Sequence, residues 1–334
     1  MIDTALIWFL IIGLGLLIYV VLDGFDLGIG ILFPFVKKEQ ERDVMMNTVA
    51  PVWDGNETWM VLGGAGLYAA FPVVYATVLS ALYIPISLMA ITLIFRGVTF
   101  KFRSKSVNNK KWWDYSFIFG STCSSFLQGV ILGAIIQGIE TTNGIYSGGT
   151  FDWLTPFTLF TGVGVVVMYA TLGCAWLIFK TEGDLQQTMF RIMPKVTALL
   201  FAVFVVVLIV SPIIEPNFAQ RWFEQPNVIY FAMMLIATLA IFWLLLTACK
   251  QRHDKKPFIY TFLLLLLAFI GFVLSLFPYI IPPTVDIWQA SAPRSSQMFA
   301  LVGAGIFIPI ILGYTILSYW VFRDKVRIGD EGYH

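Results

Sequence analysis

From Ala5 to Phe33 the chain runs with Asp23 and Asp26 as its only charged side chains, and comparable apolar stretches recur to its C-terminal end. A helix needs about 20 apolar residues to cross roughly 30 Å of hydrocarbon at 1.5 Å per residue, so stretches of this kind are long enough to span a bilayer. Composition points the same way. Of 334 residues 58% are hydrophobic and only 12% charged, whereas a soluble domain carries roughly a quarter charged residues; the mean hydropathy is +0.82. The expected fold class is all-α, a polytopic bundle whose main solvent is lipid.

A secretory leader would show a basic n-region and a small-residue cleavage site, but the chain passes from Met1-Ile2-Asp3 straight into its first apolar run. That run is expected to stay as a transmembrane helix. Cys123, Cys174 and Cys249 lie in or at the ends of apolar segments without paired spacing, so they read as small packing residues rather than a disulfide or zinc framework. A formal net charge of +1 gives no reason to expect a nucleic-acid partner.

Hydropathy windows bounded by Pro, Gly and charge clusters predict nine spans, near 5–34, 50–71, 75–95, 115–137, 157–179, 196–214, 227–249, 258–281 and 299–322. With the N-terminus outside, the inner segments are 36–48, 96–114, 180–195, 250–257 and the C-terminal tail. These hold all of the 21 lysines and arginines except Arg221 and Arg294. The positive-inside rule allows this bias in that orientation and forbids it in the other, placing the C-terminus in the cytoplasm. An even number of crossings would spoil the alternation. The outer loops carry Trp153, Trp222 and Trp288, suited to the interfacial belt, and none is long enough to fold separately. The chain is therefore expected to be one transmembrane domain, 1–334, arranged as two four-helix bundles plus one peripheral helix.

Ionisable groups within spans cost roughly 2.5–3.5 kcal/mol each on insertion scales, so each needs a partner, a water cavity or a function. Here they cluster. Span one contains Asp23-Gly24-Phe25-Asp26-Leu27-Gly28-Ile29-Gly30, with two carboxylates at i and i+3 on one face and glycines that admit a close helix. Span two opens Pro51-Val52-Trp53-Asp54-Gly55-Asn56-Glu57-Thr58-Trp59, again with acids at i and i+3. An antiparallel pairing of the two spans would gather all four carboxylates into one polar patch near the inner surface. Arg96 and Arg103 are the nearest cations in sequence. Two readings stay open. Asp54 suits a first helical turn, where an acid complements the dipole, and Asp23 and Asp26 could be a packing pair neutralised by arginine. Alternatively the patch conducts protons or holds a polar ligand. Trp53 and Trp59 read as interfacial or core aromatics, and Gly63-Gly64-Ala65-Gly66 as a close helix contact.

Only two histidines occur, His253 in a short inner loop and His334 at the end, and neither lies within a predicted span. Haem iron and copper centres within membranes rely on such ligands, so no haem or metal is expected on this chain. Met60, Met89, Met168, Met233 and Met234 read as ordinary core filler.

Three blocks carry a resemblance: Leu22-Asp23-Gly24-Phe25-Asp26-Leu27-Gly28, Ala50-Pro51-Val52-Trp53-Asp54-Gly55-Asn56-Glu57-Thr58-Trp59, and Phe95-Arg96-Gly97-Val98-Thr99-Phe100-Lys101-Phe102-Arg103-Ser104-Lys105. Their order and spacing resemble subunit II of cytochrome bd-type quinol oxidases over essentially the whole chain, and its shortness is similar to that of the cyanide-insensitive branch. The resemblance implies an inner-membrane heterodimer in bacteria. Its larger subunit I would carry b-type haems and a d-type or b-type haem, and a small single-helix subunit and a structural quinone accompany some members. Such complexes oxidise quinol and reduce dioxygen to water with cytoplasmic protons. By the same resemblance Asp23 and Asp54 match carboxylates that admit protons, and Trp59 matches a tryptophan by an oxygen entrance. Asp26, Trp53, Glu57, Arg96 and Arg103 would support the polar patch. A proton-coupled transporter and a purely structural assembly partner are the alternatives.

Overall fold

In a computed structural model, residues 3–106, 109–142 and 144–330 are described; His334 lies outside them. The chain is helical almost throughout. In order come α1 (Thr4–Leu32), α2 (Glu39–Asn47), α3 (Trp53–Ala70), α4 (Pro72–Lys105), α5 (Lys110–Gln137), α6 (Pro156–Lys180), α7 (Gly183–Ile214), α8 (Pro216–Phe223), α9 (Asn227–Lys250), α10 (Lys256–Leu276) and α11 (Arg294–Val321). Two small antiparallel hairpins, Thr141–Thr142 with Ile145–Tyr146 and Tyr279–Ile281 with Val285–Asp286, complete it.

Eight of the described helices are long and apolar enough to cross a bilayer. The segment expected as a ninth span at 50–71 forms the helix α3, which runs antiparallel to α1 but is not among those eight, being less apolar because its first turns carry Asp54, Asn56 and Glu57. Helix starts follow local chemistry. Asp3 caps α1 by accepting from the Leu6 amide at 3.1 Å, and Thr155 and Thr158 form a reciprocal capping box ahead of α6, with Pro156 at its first position.

Where the predicted boundaries move, the charged segments turn out to be helical. The inner segment expected at 180–195 forms the first turns of α7, and α4 and α5 extend into the segment expected at 96–114. Hydropathy locates the apolar middle of a helix, whereas its backbone hydrogen bonds continue into the polar flanks. Conversely, the span expected to reach 281 ends at Leu276, ahead of Pro278, and passes into a hairpin. Within α4, Leu82 leaves helical geometry (φ −121°, ψ 22°) just before Pro85, whose ring and missing N–H break the ladder.

Helix contacts group α1, α3, α4 and α5 on one side and α6, α7, α9 and α10 on the other, joined mainly through α6 packing on α1 and α5. Helix α11 is peripheral, touching α3 and α1. Gln297, its buried residue, ties it down: the Trp8 indole donates to the Gln297 carbonyl at 3.1 Å. In lipid no hydrophobic force draws helices together, so backbone approach and polar contacts decide packing. At the α1–α6 crossing a Cβ on Gly28 would lie 1.9 Å from the Tyr169 carbonyl oxygen, and one on Gly173 2.5 Å from Gly28 itself. Any side chain there forces the two halves apart.

Most charged residues gather where α1, α4, α6, α9 and α11 end and α3, α5, α7 and α10 begin, hereafter the basic end. There Lys180 donates to carbonyls of Phe322 and Asp324, and Lys325 pairs with Asp254 at 2.6 Å. At the far end the predicted belt tryptophans are hydrogen-bonded: Trp288 to Asp3 at 2.9 Å, Trp222 to Ser275 at 2.7 Å and Trp153 to the Thr150 carbonyl at 3.0 Å.

Candidate proton-handling site

Along the last third of α4 the inward face reads Thr92, Arg96, Thr99, Arg103, at steps of four, three and four, while Ile91, Ile94, Phe95, Val98 and Phe102 face outward. From Ile91 to Phe100 this stretch is inside-out, with polar residues buried and most apolar ones exposed, as expected when lipid is the solvent; beyond it Lys101, Ser104 and Lys105 are exposed at the basic end. Gly120 on α5 lets that face approach, since a Cβ there would lie 2.8 Å from the Arg96 backbone nitrogen.

Arg96 is fully buried and bridges two helices. Its Nη1 donates to Asp23 Oδ1 of α1 at 2.5 Å, and its Nη2 to Glu57 Oε1 of α3 at 2.8 Å. The Trp53 ring lies 5.9 Å from the guanidinium and stacks on Phe100 at 5.0 Å, roofing the pair on the side toward the basic end. Asp26, one turn along α1 from Asp23 and also fully buried, accepts from Asn56 Nδ2 at 2.8 Å. The amide of Asn56 is held in turn by Tyr319 of α11, whose hydroxyl donates to Asn56 Oδ1 at 2.9 Å. Asp23 Oδ2, Asp26 Oδ1 and Arg96 Nε are buried without a hydrogen-bond partner.

Next to Asp23 lies a second polar chain. Gln128 Nε2 donates to the Tyr19 hydroxyl at 2.8 Å, and the Tyr169 hydroxyl donates to Gln128 Oε1 at 2.7 Å, linking α1, α5 and α6.

The structure brings Asp23, Asp26, Glu57, Trp53 and Arg96 together but corrects two expectations. The side chain of Asp54 is exposed and outside the buried cluster, so three carboxylates meet rather than four. A helix turns by 300° over three residues, and with Glu57 turned toward Arg96 this rotation carries Asp54 toward the surface. Arg103 does not serve these acids either. It pairs with Asp114 at 2.6 Å and with Asp43, two turns of α4 nearer the basic end. Trp59 is 1% exposed, packed against α1 with its indole N–H unpartnered, so it is a core residue of the chain taken alone.

Asn56, Tyr319, Tyr19, Gln128, Tyr169 and Asp114 were not singled out from sequence. Asn56 stood inside a highlighted block and could have been found as a buried amide between two acids. Asp114 fell in a presumed loop. The tyrosines and Gln128 acquire meaning only through partners on distant helices. Among the described residues no group of three or more His, Cys, Asp or Glu is placed to hold a metal ion.

Residues 4–322 match the family model described as cytochrome bd terminal oxidase subunit II. The chain is 31% identical over 362 residues to cytochrome bd-I ubiquinol oxidase subunit 2 of Escherichia coli (strain K12), covering 97% of this chain and 95% of that one. It is 29% identical over 332 residues to cytochrome bd ubiquinol oxidase subunit 2 of Bacillus subtilis (strain 168), covering 96% of each. Its fold is similar to a chain in the structure of bd oxidase from Geobacillus thermodenitrificans, with a TM-score of 0.76 and 16% identity over 97% of this chain and all of that one. A buried arginine–carboxylate cluster, a multi-helix membrane fold and end-to-end relatives of one kind thus converge, and the chain belongs to the cytochrome bd terminal oxidase subunit II family.

Proposed function

We infer that this chain is the haem-free second subunit of a bd-type quinol oxidase and that it admits cytoplasmic protons toward the haems of subunit I. The observation that carries this reading is a graded series of acids. Asp54 is exposed at the start of α3, Glu57 one turn further is 26% exposed, and Asp23, reached across Arg96, is wholly buried. A proton path needs such a descent from a group in contact with water to a group shielded from it, and a packing pair does not. The positive-inside bias puts the exposed end of the series in the cytoplasm, with α3 counted as the ninth crossing and the N-terminus outside. No histidine is available within a span to ligate haem, which leaves the haems to the partner.

Subunit I docks on the α3 face. Asp54, Thr58, Val61, Gly64, Ala65 and Tyr68 form one exposed stripe, and an acid in a lipid-spanning helix requires cover. Small residues at its centre permit the close helix approach on which association in lipid depends. The oxygen route that the resemblance attaches to Trp59 belongs to the same proposal and would pass through the apolar α1–α3 seam. A transporter would be expected to interrupt helices in matching halves; among the described helices only α4 shows non-helical backbone angles inside it, so no second break answers to it.

The test is Asp54→Asn in the purified complex, which keeps size and hydrogen bonding and removes the exchangeable acid. Oxygen consumption per haem is expected to fall several-fold with the haem spectrum intact. An unchanged value would remove Asp54 from the path and with it the proton-admitting reading, and haem content falling in parallel with activity would make it an assembly residue.

A further inference from the structure

We propose that Asp26 is the proton-holding group of the cluster, a neutral acid at rest that gives its proton to Asp23 and is refilled from the cytoplasm, with Asn56 and Tyr319 setting its orientation. This deepens the proton-admitting reading and rests on it.

The argument is one of charge and partners. Three carboxylates meet here, and Arg96 is the one cation among the described residues that pairs with any of them. Asp23 and Glu57 each hold one of its nitrogens. Glu57 also reaches solvent, being 26% exposed. Asp26 has neither recourse: it is 0% exposed, its Oδ2 accepts only from the neutral amide of Asn56, and its Oδ1 has no partner. A buried carboxylate without cation or water is the costliest state of the three, so the first proton the cluster takes resides on Asp26, leaving Asp23 and Glu57 to share Arg96 and, through Glu57, solvent. The groups that face it agree from every side. Asp23 on α1 and Glu57 on α3 are acids, Asn56 is neutral, Tyr319 on α11 is a phenol held on Asn56, and Arg96 on α4 is committed to the other two carboxylates.

The empty oxygens suggest the transfer. Asp26 Oδ1 and Asp23 Oδ2 are both buried and unpartnered, on residues at i and i+3 of one helix. The O–H bond at Asp26 breaks and one forms at Asp23, leaving Asp26 as the carboxylate. A proton arriving by way of Asp54 and Glu57 then restores it. Asp23 gives its proton onward toward subunit I, by which its new O–H bond breaks and the cluster returns to its starting charge; no electron moves. Asn56 is kept from rotating by the Tyr319 hydroxyl, which claims its carbonyl oxygen and so leaves its NH2 toward Asp26.

The purified two-subunit complex is compared with its Asp26→Asn, Asp26→Glu and Tyr319→Phe forms by infrared spectroscopy in H2O and D2O and by oxygen consumption per haem. In the parent complex a protonated-carboxyl C=O band sensitive to deuterium is expected at neutral pH. It should vanish in Asp26→Asn, which assembles because the amide reproduces the neutral acid, while turnover per haem drops at least tenfold. Asp26→Glu should restore the band and part of the turnover. Tyr319→Phe should keep the band and shift its frequency; an unmoved band overturns the orienting role. Retention of the band in Asp26→Asn, or unchanged turnover per haem, overturns the assignment. Should Asp26→Asn not assemble, loss of the band in Asp26→Glu would overturn it equally. Asp54→Asn separates the two levels: full turnover in that variant sinks the proton-admitting reading, whereas slow turnover there with an unaffected Asp26→Asn sinks the role of Asp26 alone.

Discussion

Two buried arginines on α4, Arg96 and Arg103, stand two turns apart on one face and live in opposite electrostatic surroundings. Around Arg103 the charges balance. Asp114 gives one oxygen to Arg103 and the other to Arg42 at 2.7 Å, Asp43 lies between Arg103 and Lys110, and Lys110 also meets Glu39 at 2.9 Å. Three cations face three acids drawn from α2, α4 and α5. Around Arg96 one cation faces three acids, and two carboxylate oxygens have no partner. Each arginine leaves one guanidinium nitrogen unpartnered, so the contrast lies in the acids rather than the donors. A saturated network fixes geometry and has no capacity to take up a proton. A cluster with surplus carboxylate takes up protons to offset its excess negative charge, and what it carries it can exchange. Burial alone therefore does not mark the functional arginine; the imbalance around it does.

That contrast breaks most visibly at Arg96. Replacing it with Gln strands Asp23 and Glu57, and removing one partner of a buried ion pair costs about 3–5 kcal/mol. Most of the haem-bearing complex is expected to be lost on purification, with the remainder melting well below the parent. A normal yield and melting temperature would show that the cluster needs no cation and would remove the charge argument altogether.

Arg103→Gln should be milder, because Asp114 keeps Arg42 and Asp43 keeps Lys110. Losing hydrogen bonds to a charged partner of this kind costs about 1.5–3 kcal/mol, so the melting temperature should fall by a few degrees while oxygen consumption per haem stays at the parent value. Slower turnover per haem would place the balanced cluster on the proton route and erase the distinction drawn between the two.

Smallest of all is the effect expected at Lys38, where exposed Lys38 meets exposed Asp184 at 2.8 Å and Glu41 at 3.0 Å. Asp184 first, then Glu41, hold the Lys38 ammonium above its ordinary range by accepting its hydrogen bonds. A raised folded value means the contribution is full below the unfolded lysine range and is lost as pH rises through the folded one. Lys38→Gln should thus lower the melting temperature slightly at neutral pH and low salt. The difference should close at high salt and above the lysine range. A large difference that survived both would mean that surface pairs at this end matter as much as the buried ones.

Much of the architecture was legible because lipid imposes simple demands on a sequence. Apolar runs marked the helices, and the lysines and arginines marked one end of them. The acids of α1 and α3 stood out as expensive groups, and Arg96 as their nearest cation. What stayed hidden were relations across long sequence separation. Nothing local distinguishes Tyr319 from other aromatics of α11, yet it meets Asn56 across 263 positions. Nor does spacing on α3 reveal that Glu57 turns inward and Asp54 outward, since an i and i+3 pair shares a face broad enough for one member to be buried and its neighbour exposed.

The solvent of this chain, the side of the bundle its cations occupy and the presence of buried acids followed from residue order, because each depends on transfer free energies that every residue carries wherever it lies. Which acid pairs with which arginine did not. Arg96 and Arg103 are the same residue type on the same face of one helix, and their different surroundings arise from where α1, α2, α3 and α5 happen to cross it. Those crossings are set by glycines such as Gly28 and Gly120, whose missing side chains let backbones approach to contact distance. Electrostatic pairing depends steeply on separation, and separation is a property of packed helices rather than of the chain that forms them.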